Sequence, residues 1–358
     1  MRVAGSEYLE WFKARRPMRF NLAMSGAPAY PIAELGVSIE EIERNASAAN
    51  SRQSLQQALA AKAGVSPDSV VTASGTSLAN YLAMAALVEP GDDVLVEHPA
   101  YEPLLAVARY AGGDVKRFTR SAESGFEVRV EEVERSITNR TKLIVIANLH
   151  NPTSVRTHED TLRAIGTVAK KVGARVLVDE VYLECLYEQF RTVFRLGSEF
   201  VVTSSLTKAY GLSGLRCGWV LAEPELARRM RRIKDLLDPA EPHPAEPLSV
   251  AALQQLDRIG ARAKSLLEGN RAVLNQFLDS RKELIAVRPQ FGTSVFPRLK
   301  DTDTDGFVTL LRDRYETDVV PGKFFGAPDH FRLGMGCDPE TFAQGLERLG
   351  AALDEIQR

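Results

Sequence analysis

From Val70 onward the chain alternates between short apolar runs, many of them β-branched, and longer segments whose apolar positions return every three or four residues. The short runs at residues 70–72, 94–96, 115–118, 142–147, 176–178, 200–203 and 219–221 read as strands. Segments 77–87, about 101–110, 130–136 and 158–172 between them read as helices. A run such as Leu143-Ile144-Val145-Ile146 carries no polar alternation, so both of its faces are buried. Strands of that kind between helices predict an α/β fold built on a mostly parallel sheet covered on both sides.

The flanks read differently. Residues 8–16 form a short helix stopped by Pro17, and 39–45 a further helical turn. Ser54 reads as the N-cap of a helix over 55–63 that Gly64 closes. After Pro224 come two long charged helices, about 225–237 and 248–277. The stretch 238–247 between them, rich in Pro, Glu and His, reads as a loop near the site or at a subunit contact. From Ile285 the order is strand, strand (293–298), helix (305–315), strand (319–320), strand (331–335) and helix (339–357), a small α+β unit. The expected division is a large domain over 46–245, with a connecting helix to about 277, and a small one from 1–45 and 278–358.

Composition narrows the class. With 358 residues there is material for one large and one small domain, and 44% hydrophobic with 26% charged residues is ordinary for a soluble globular protein. A net charge of −2 gives no reason to expect nucleic acid or an anionic membrane as partner. The start, Met1-Arg2-Val3-Ala4-Gly5-Ser6, is polar, and no run approaches the length of a membrane span. Cys185, Cys217 and Cys337 are scattered, lack metal-ligand spacing and read as small core residues of a protein kept in a reducing cytoplasm; no metal is expected.

In an open parallel sheet, ligands bind outside the carboxyl ends of the strands, and the unusual polar residues fall there. The run at 200–203 leads into Ser204-Ser205-Leu206-Thr207-Lys208, and Gly211, Gly214 and Arg216 follow. A partly desolvated lysine in such a loop is a nucleophile for carbonyls, whereas on a solvated loop it is a plain surface residue. The hydroxyls of Ser205 and Thr207 and the Arg216 guanidinium suit a phosphate beside it, so together they suggest pyridoxal phosphate held as a Schiff base. Ser74-Gly75-Thr76-Ser77 opens a helix and reads either as a second part of the phosphate cradle or as an ordinary cap. Tyr101 stacks on a planar cofactor or simply packs. Asn151 makes a turn or donates to a phenolate oxygen, which Tyr182 also reaches. Asp179, at a buried strand end, needs a positive partner, and a protonated pyridine nitrogen is one.

Residues 204–219 resemble the lysine signature of the class I/II aminotransferases, pyridoxal phosphate enzymes of fold type I in the aspartate aminotransferase superfamily. Asp179-Glu180-Val181-Tyr182 resembles their pyridine-nitrogen motif, and Asn151-Pro152-Thr153 their Asn-Pro-Thr loop. Phe331-Arg332-Leu333-Gly334 resembles the motif whose arginine binds the substrate α-carboxylate, with Pro321-Gly322-Lys323-Phe324-Phe325-Gly326 before it. The resemblance runs from about Leu22 to the C-terminus. It implies a mostly parallel seven-stranded-type sheet in the large domain, and a small α+β domain assembled from both ends of the chain. It implies an aminotransferase that moves an amino group from an α-amino acid to a 2-oxo acid, with Lys208 as internal aldimine and then as the base. Asp179 would pair with the pyridinium; Asn151 and Tyr182 would hold the phenolate; Tyr101 would stack. Ser74, Gly75, Thr76, Ser205 and Arg216 would bind phosphate, Arg332 would clamp the carboxylate, and the Gly26 backbone would lie near the substrate. A homodimer with the site at the subunit interface is expected.

Three departures stand out. Asn-Pro-Thr continues to Ser154 where the family has glycine. Residues 46–54 lack the tyrosine that the family often lends to the partner's phosphate, leaving Asn50 or Arg52 to substitute. The loop that in aspartate-type enzymes brings a second arginine offers His243 instead, which argues against a dedicated dicarboxylate enzyme. Two rivals share the motifs: a β-C–S lyase or other pyridoxal phosphate reaction, and a non-enzymatic cofactor-sensing module. The module would carry a DNA-binding domain, and few residues precede Leu22.

Overall fold

Seven of the apolar runs meet edge to edge in one sheet. The computed structural model describes residues 5–44, 48–188, 190–239 and 244–357, and within 48–52 the backbone alone. In chain order, α1 (Glu7–Ala14), β1 (Phe20–Asn21), α2 (Ile39–Arg44) and α3 (Ala48–Ala63) come first. There follow β2 (Val70–Ser74), α4 (Thr76–Leu87), β3 (Asp93–His98), α5 (Glu102–Tyr110), β4 (Asp114–Thr119), α6 (Val130–Ser136), β5 (Thr141–Ala147), α7 (Glu159–Lys171) and β6 (Arg175–Asp179). Then β7 (Phe200–Ser205), β8 (Cys217–Leu221), α8 (Pro224–Leu237), α9 (Ala245–Leu253) and α10 (Leu256–Asp279) lead to the C-terminal part. That part holds β9 (Leu284–Ile285), β10 (Ser294–Val295), β11 (Arg298–Leu299), α11 (Thr304–Tyr315), β12 (Thr317–Asp318), β13 (Val320–Pro321), β14 (Phe331–Gly334) and α12 (Pro339–Ile356).

The sheet runs β2-β8-β7-β6-β5-β3-β4, and only β8 is antiparallel to its neighbours. The mostly parallel α/β fold expected from the sequence is therefore observed. Side chains leave a strand alternately to either face, and both faces are covered. Leu143, Val145 and Leu177 pack with Leu82, Met84 and Leu104 of α4 and α5. Ile144, Ile146, Val176 and Val178 pack with Leu55, Leu59, Leu162 and Ile165 of α3 and α7. That two-sided burial is the reason β5 and β6 show no polar alternation. Ser74, His98, Ala147, Asp179 and Ser205 all end their strands at one edge, where β8 starts.

The small sheet β10-β14-β13 sits beside α10, α11 and α12 over a separate core of Leu22, Leu274, Phe307, Phe331, Leu333 and Leu349. β14 thereby carries Arg332 toward the large sheet's carboxyl edge.

Three expectations give way. The helix at 55–63 begins at Ala48, so Ser54 is an exposed position inside the helix and not its N-cap. The long helix at 248–277 is two, α9 and α10, parted where the Gln255 side chain donates to the carbonyls of Leu35 and Ala251. The strand at 293–298 is broken at Phe296-Pro297 into β10 and β11, because proline has no N–H to give a ladder. Among the described residues no helix is long and apolar enough to cross a membrane.

Candidate active site

A cavity of about 160 Å³ opens at the carboxyl edge, and its walls include Lys208, Asp179, Tyr182, Tyr101, Asn151, Thr76, Ser205 and Arg216. Leu206, fully buried, seats the turn after β7 and leaves Lys208 at the rim of the sheet. Lys208 Nζ donates to Ser25 Oγ at 2.9 Å and lies 6.0 Å from the centre of the Tyr182 ring. Burial lowers its pKa, and the nearby cations Arg332 and Arg216 push the same way against Asp179. A lysine so placed holds a larger share of neutral, nucleophilic amine. Gly26 lets its segment pass close to the lysine: a Cβ there would stand 3.3 Å from Lys208 Cδ, and Ala27 N donates to the Lys208 carbonyl at 2.7 Å.

Asp179 closes β6. Its Oδ2 accepts from Asn80 Nδ2 at 2.9 Å and its Oδ1 from the Val181 N–H at 3.0 Å. Burial nonetheless drives this carboxyl up to about 6, the mark of an anion short of a cation. The sign follows from linkage. A raised folded pKa means that the stability present below about pH 4 is lost as pH climbs to about 6, worth about 3 kcal/mol at neutrality. In cofactor-free protein, Asp179→Asn is expected to flatten that part of the stability curve. Thermal unfolding at pH 4.5 and 7 checks it; an unchanged slope means the carboxyl is not strained.

Around the first turn of α4, Gly75 has φ +86°, and a Cβ on it would come within 2.4 Å of Arg216 Nη2. Thr76 Oγ1 donates to Ser205 Oγ at 2.8 Å, which also accepts from Thr207 N at 3.3 Å. Hydroxyls, a helix N-terminus and a guanidinium thus converge, the donor set a phosphate needs. Ser74 departs from its expected place. Its hydroxyl donates to Asp238 Oδ2 at 2.7 Å and it is absent from the cavity wall; its carbonyl instead holds Arg216 Nη2 at 3.0 Å.

Asn151 is set by its neighbours. His150 bridges Thr153 Oγ1 (2.6 Å) and the Pro99 carbonyl (2.9 Å), tying this loop to the one that bears Tyr101. Asn151 Oδ1 accepts from Arg332 Nη1 at 3.0 Å, so the group left to face a ligand is its donor, Nδ2. Ser154, where the family has glycine, takes φ +59° and donates from Oγ to the Ser294 carbonyl at 2.8 Å; Ser294 Oγ returns to the Pro152 carbonyl at 3.0 Å. This pair fastens the Asn151 loop to β10, the neighbour of β14. Ser154→Ala is expected to cost about 1–2 kcal/mol by stranding a buried carbonyl, read by urea unfolding.

Arg332 is 1% exposed and does not reach the cavity wall. Besides Asn151, its Nη2 donates to Tyr8 Oη and to the Ala23 carbonyl, each at 3.2 Å, while Nε has no partner. No carboxylate among the described residues pairs with it. Tyr8, Ser25 and Asn80 were missed by sequence reasoning. Asn80 alone left a signal, lying four residues after Thr76 on the same face of α4. His243 and the side chains of Asn50 and Arg52 lie outside the described residues. A larger cavity of about 540 Å³ on the α3 side contains none of the expected site residues, and its Lys62, Glu184 and Tyr210 already bond one another. No group of acidic, His and Cys residues among those described could hold a metal.

Residues 38–349 match the family model described as aminotransferase class I and II. The chain belongs to that family. Among its relatives are an aspartate aminotransferase of Streptomyces avermitilis, 25% identical over 82% of this chain and 76% of the relative. The capreomycidine synthase of Streptomyces vinaceus is 28% identical over 84% of this chain and 78% of that protein. The crystal structure of a PLP-dependent aminotransferase from Streptococcus suis superposes with a TM-score of 0.91 at 25% identity, covering 100% of both chains. This aminotransferase is thus a pyridoxal phosphate enzyme of fold type I.

Proposed function

We propose that this aminotransferase acts on α-amino acids with uncharged side chains, through the residues gathered at the cavity. The observation that carries the reading is Arg332, a buried guanidinium with no acid partner, next to the cavity that holds a desolvated Lys208. Pyridoxal phosphate supplies a ring that withdraws electrons from the substrate's Cα as negative charge develops there. Asp179 would pair with its ring nitrogen, which answers the strain on that carboxyl. Asn151 Nδ2 and Tyr182 Oη would hold the phenolate oxygen, and Tyr101 would lie against the ring. Gly75, Thr76, Ser205 and Arg216 would bind the phosphate, with Ser74 acting only through its hold on Arg216. Lys208 Nζ would hold the cofactor and serve as the base that takes the proton from the substrate's Cα. Arg332 would clamp the α-carboxylate and so orient the Cα–H bond, with the Gly26 backbone close by.

The substrate class rests on charge. Among described residues the cations on the cavity wall are Lys208 and Arg216, both already assigned, and no further one awaits a distal carboxylate. Mixing holoenzyme with a panel of amino acids tests this. Leucine, methionine or phenylalanine should convert the visible cofactor band to the pyridoxamine band faster than aspartate or glutamate; the reverse order overturns the substrate class. Ammonia and keto acid released with the band unchanged would mean the lyase alternative instead.

A homodimer is the proposed assembly, in the cytoplasm, where the thiols of Cys185 and Cys217 stay reduced. Leu236 and Leu237, 83% and 55% exposed, end α8 beside the Asp238–Ser74 contact and are suited to a second copy. Leu236→Glu with Leu237→Glu is expected to halve the mass measured by light scattering. The proposed domains are 46–245, with its connecting helix, and 1–45 with 278–358; Tyr30 and Leu35 of the first segment nevertheless pack in the core of the large sheet.

A further inference from the structure

Tyr8 lies on α1, far from every motif in sequence, yet its side chain is 5% exposed and forms part of the cavity wall. Its ring meets Tyr101 edge-on at 5.4 Å and Phe324 at 5.8 Å, and its oxygen accepts from Arg332 Nη2. Arg332 itself is 1% exposed and off the cavity wall, bonded to Tyr8 and Asn151, which are both on it. Of the three acceptors on Arg332, Asn151 is locked in its loop and the Ala23 carbonyl belongs to the backbone. The phenol is the acceptor that can leave. Next to Nη2 is Nε, buried and without a partner. Nε and Nη2 together form one fork of the guanidinium, the edge that takes a carboxylate by two parallel hydrogen bonds.

We propose that Tyr8 is a built-in stand-in for the substrate's α-carboxylate. It fills the acceptor position on Nη2 in the free enzyme and gives it up when the acid arrives, so it sets how tightly, and how selectively, α-carboxylates bind. A neutral phenol makes the weaker hydrogen bond, and a carboxylate displaces it by forming a charged one and by satisfying Nε as well. The proposal rests on reading Arg332 as the carboxylate site, and the experiment separates the two.

Propionate, the acid skeleton common to α-amino acids with a Cβ, is titrated into holoenzyme at constant ionic strength, with ethylamine as the probe lacking the acid. The shift of the visible cofactor band gives Kd for each. Tyr8→Phe keeps the ring and removes the acceptor, and is expected to bind propionate roughly three- to tenfold more tightly, with ethylamine unchanged. Arg332→Met is expected to weaken propionate at least tenfold, whether Tyr8 or Phe is present. If Tyr8→Phe leaves propionate binding unchanged or weaker while Arg332→Met weakens it, the stand-in is overturned and the carboxylate site stands. If both ligands tighten alike, the phenol is only a steric gate and the proposal fails. If Arg332→Met has no effect on propionate, the carboxylate reading fails and takes the stand-in with it.

Discussion

Lys208→Ala is expected to lower turnover by about 10⁴-fold, the upper range for a single positioned acid–base group, while the cofactor stays bound. Retention is expected because Asp179, Thr76, Ser205 and Arg216 surround the cavity independently of the lysine. Lys208→Arg discriminates between two roles. Arginine keeps the positive charge near Asp179 but cannot give up its proton at any working pH. If Lys208 serves as a nucleophile and base, both variants are equally inactive. If the site needs only a cation there, Lys208→Arg recovers most of the rate. Cofactor content by absorbance and single-turnover rates with an amino acid decide it, and full activity in Lys208→Ala would end the reading altogether. The depressed lysine pKa adds a pH signature. The rate should rise with pH to a plateau reached below the ordinary lysine range, because less alkali is needed to free the amine.

The large sheet was legible in the sequence because its strands are buried on both faces. β5 and β6 show unbroken apolar runs; β5 leads into the Asn151 loop and β6 ends on Asp179 itself. The short paired strands of the small domain were harder to read: β10 and β11 have two residues each, too few to display a period. Site residues were legible where a strand end or a glycine turn singled them out. Ser74 has the same local signal as Thr76, but its hydroxyl is claimed by Asp238, 164 residues away. Local sequence cannot report a partner at that separation. Tyr8 is the same case from the other side. It sits in an ordinary amphipathic helix, and its importance comes wholly from α1 being laid across β14, α5 and the loop after β13. Ser154 stands where the family has glycine, and what that departure does, the bond to Ser294, depends on a partner 140 residues away.

Arg332→Met is expected to cut kcat/KM for α-amino acids by about 10²- to 10³-fold, the loss that follows when a buried charge pair cannot form. The same change should leave the free protein within about 1 kcal/mol of its original stability. The two expectations belong together. In the free enzyme the guanidinium is buried among neutral acceptors, with Nε unsatisfied, so it bears a desolvation cost that no anion offsets. Methionine fills most of the volume without that cost, although Asn151 Oδ1, Tyr8 Oη and the Ala23 carbonyl each lose a donor. A structural arginine would behave in the opposite way: several kcal/mol of stability lost, and kinetics altered only as far as the fold is. Amino acid amides, which keep the amino group and lose the carboxylate charge, supply the control. Their slow reaction should be nearly the same with Arg332 or methionine in place, so the arginine's advantage appears only with the acid. Urea unfolding of the cofactor-free protein, set beside kcat/KM for acid and amide, tells a cation kept for the substrate from one kept for the fold.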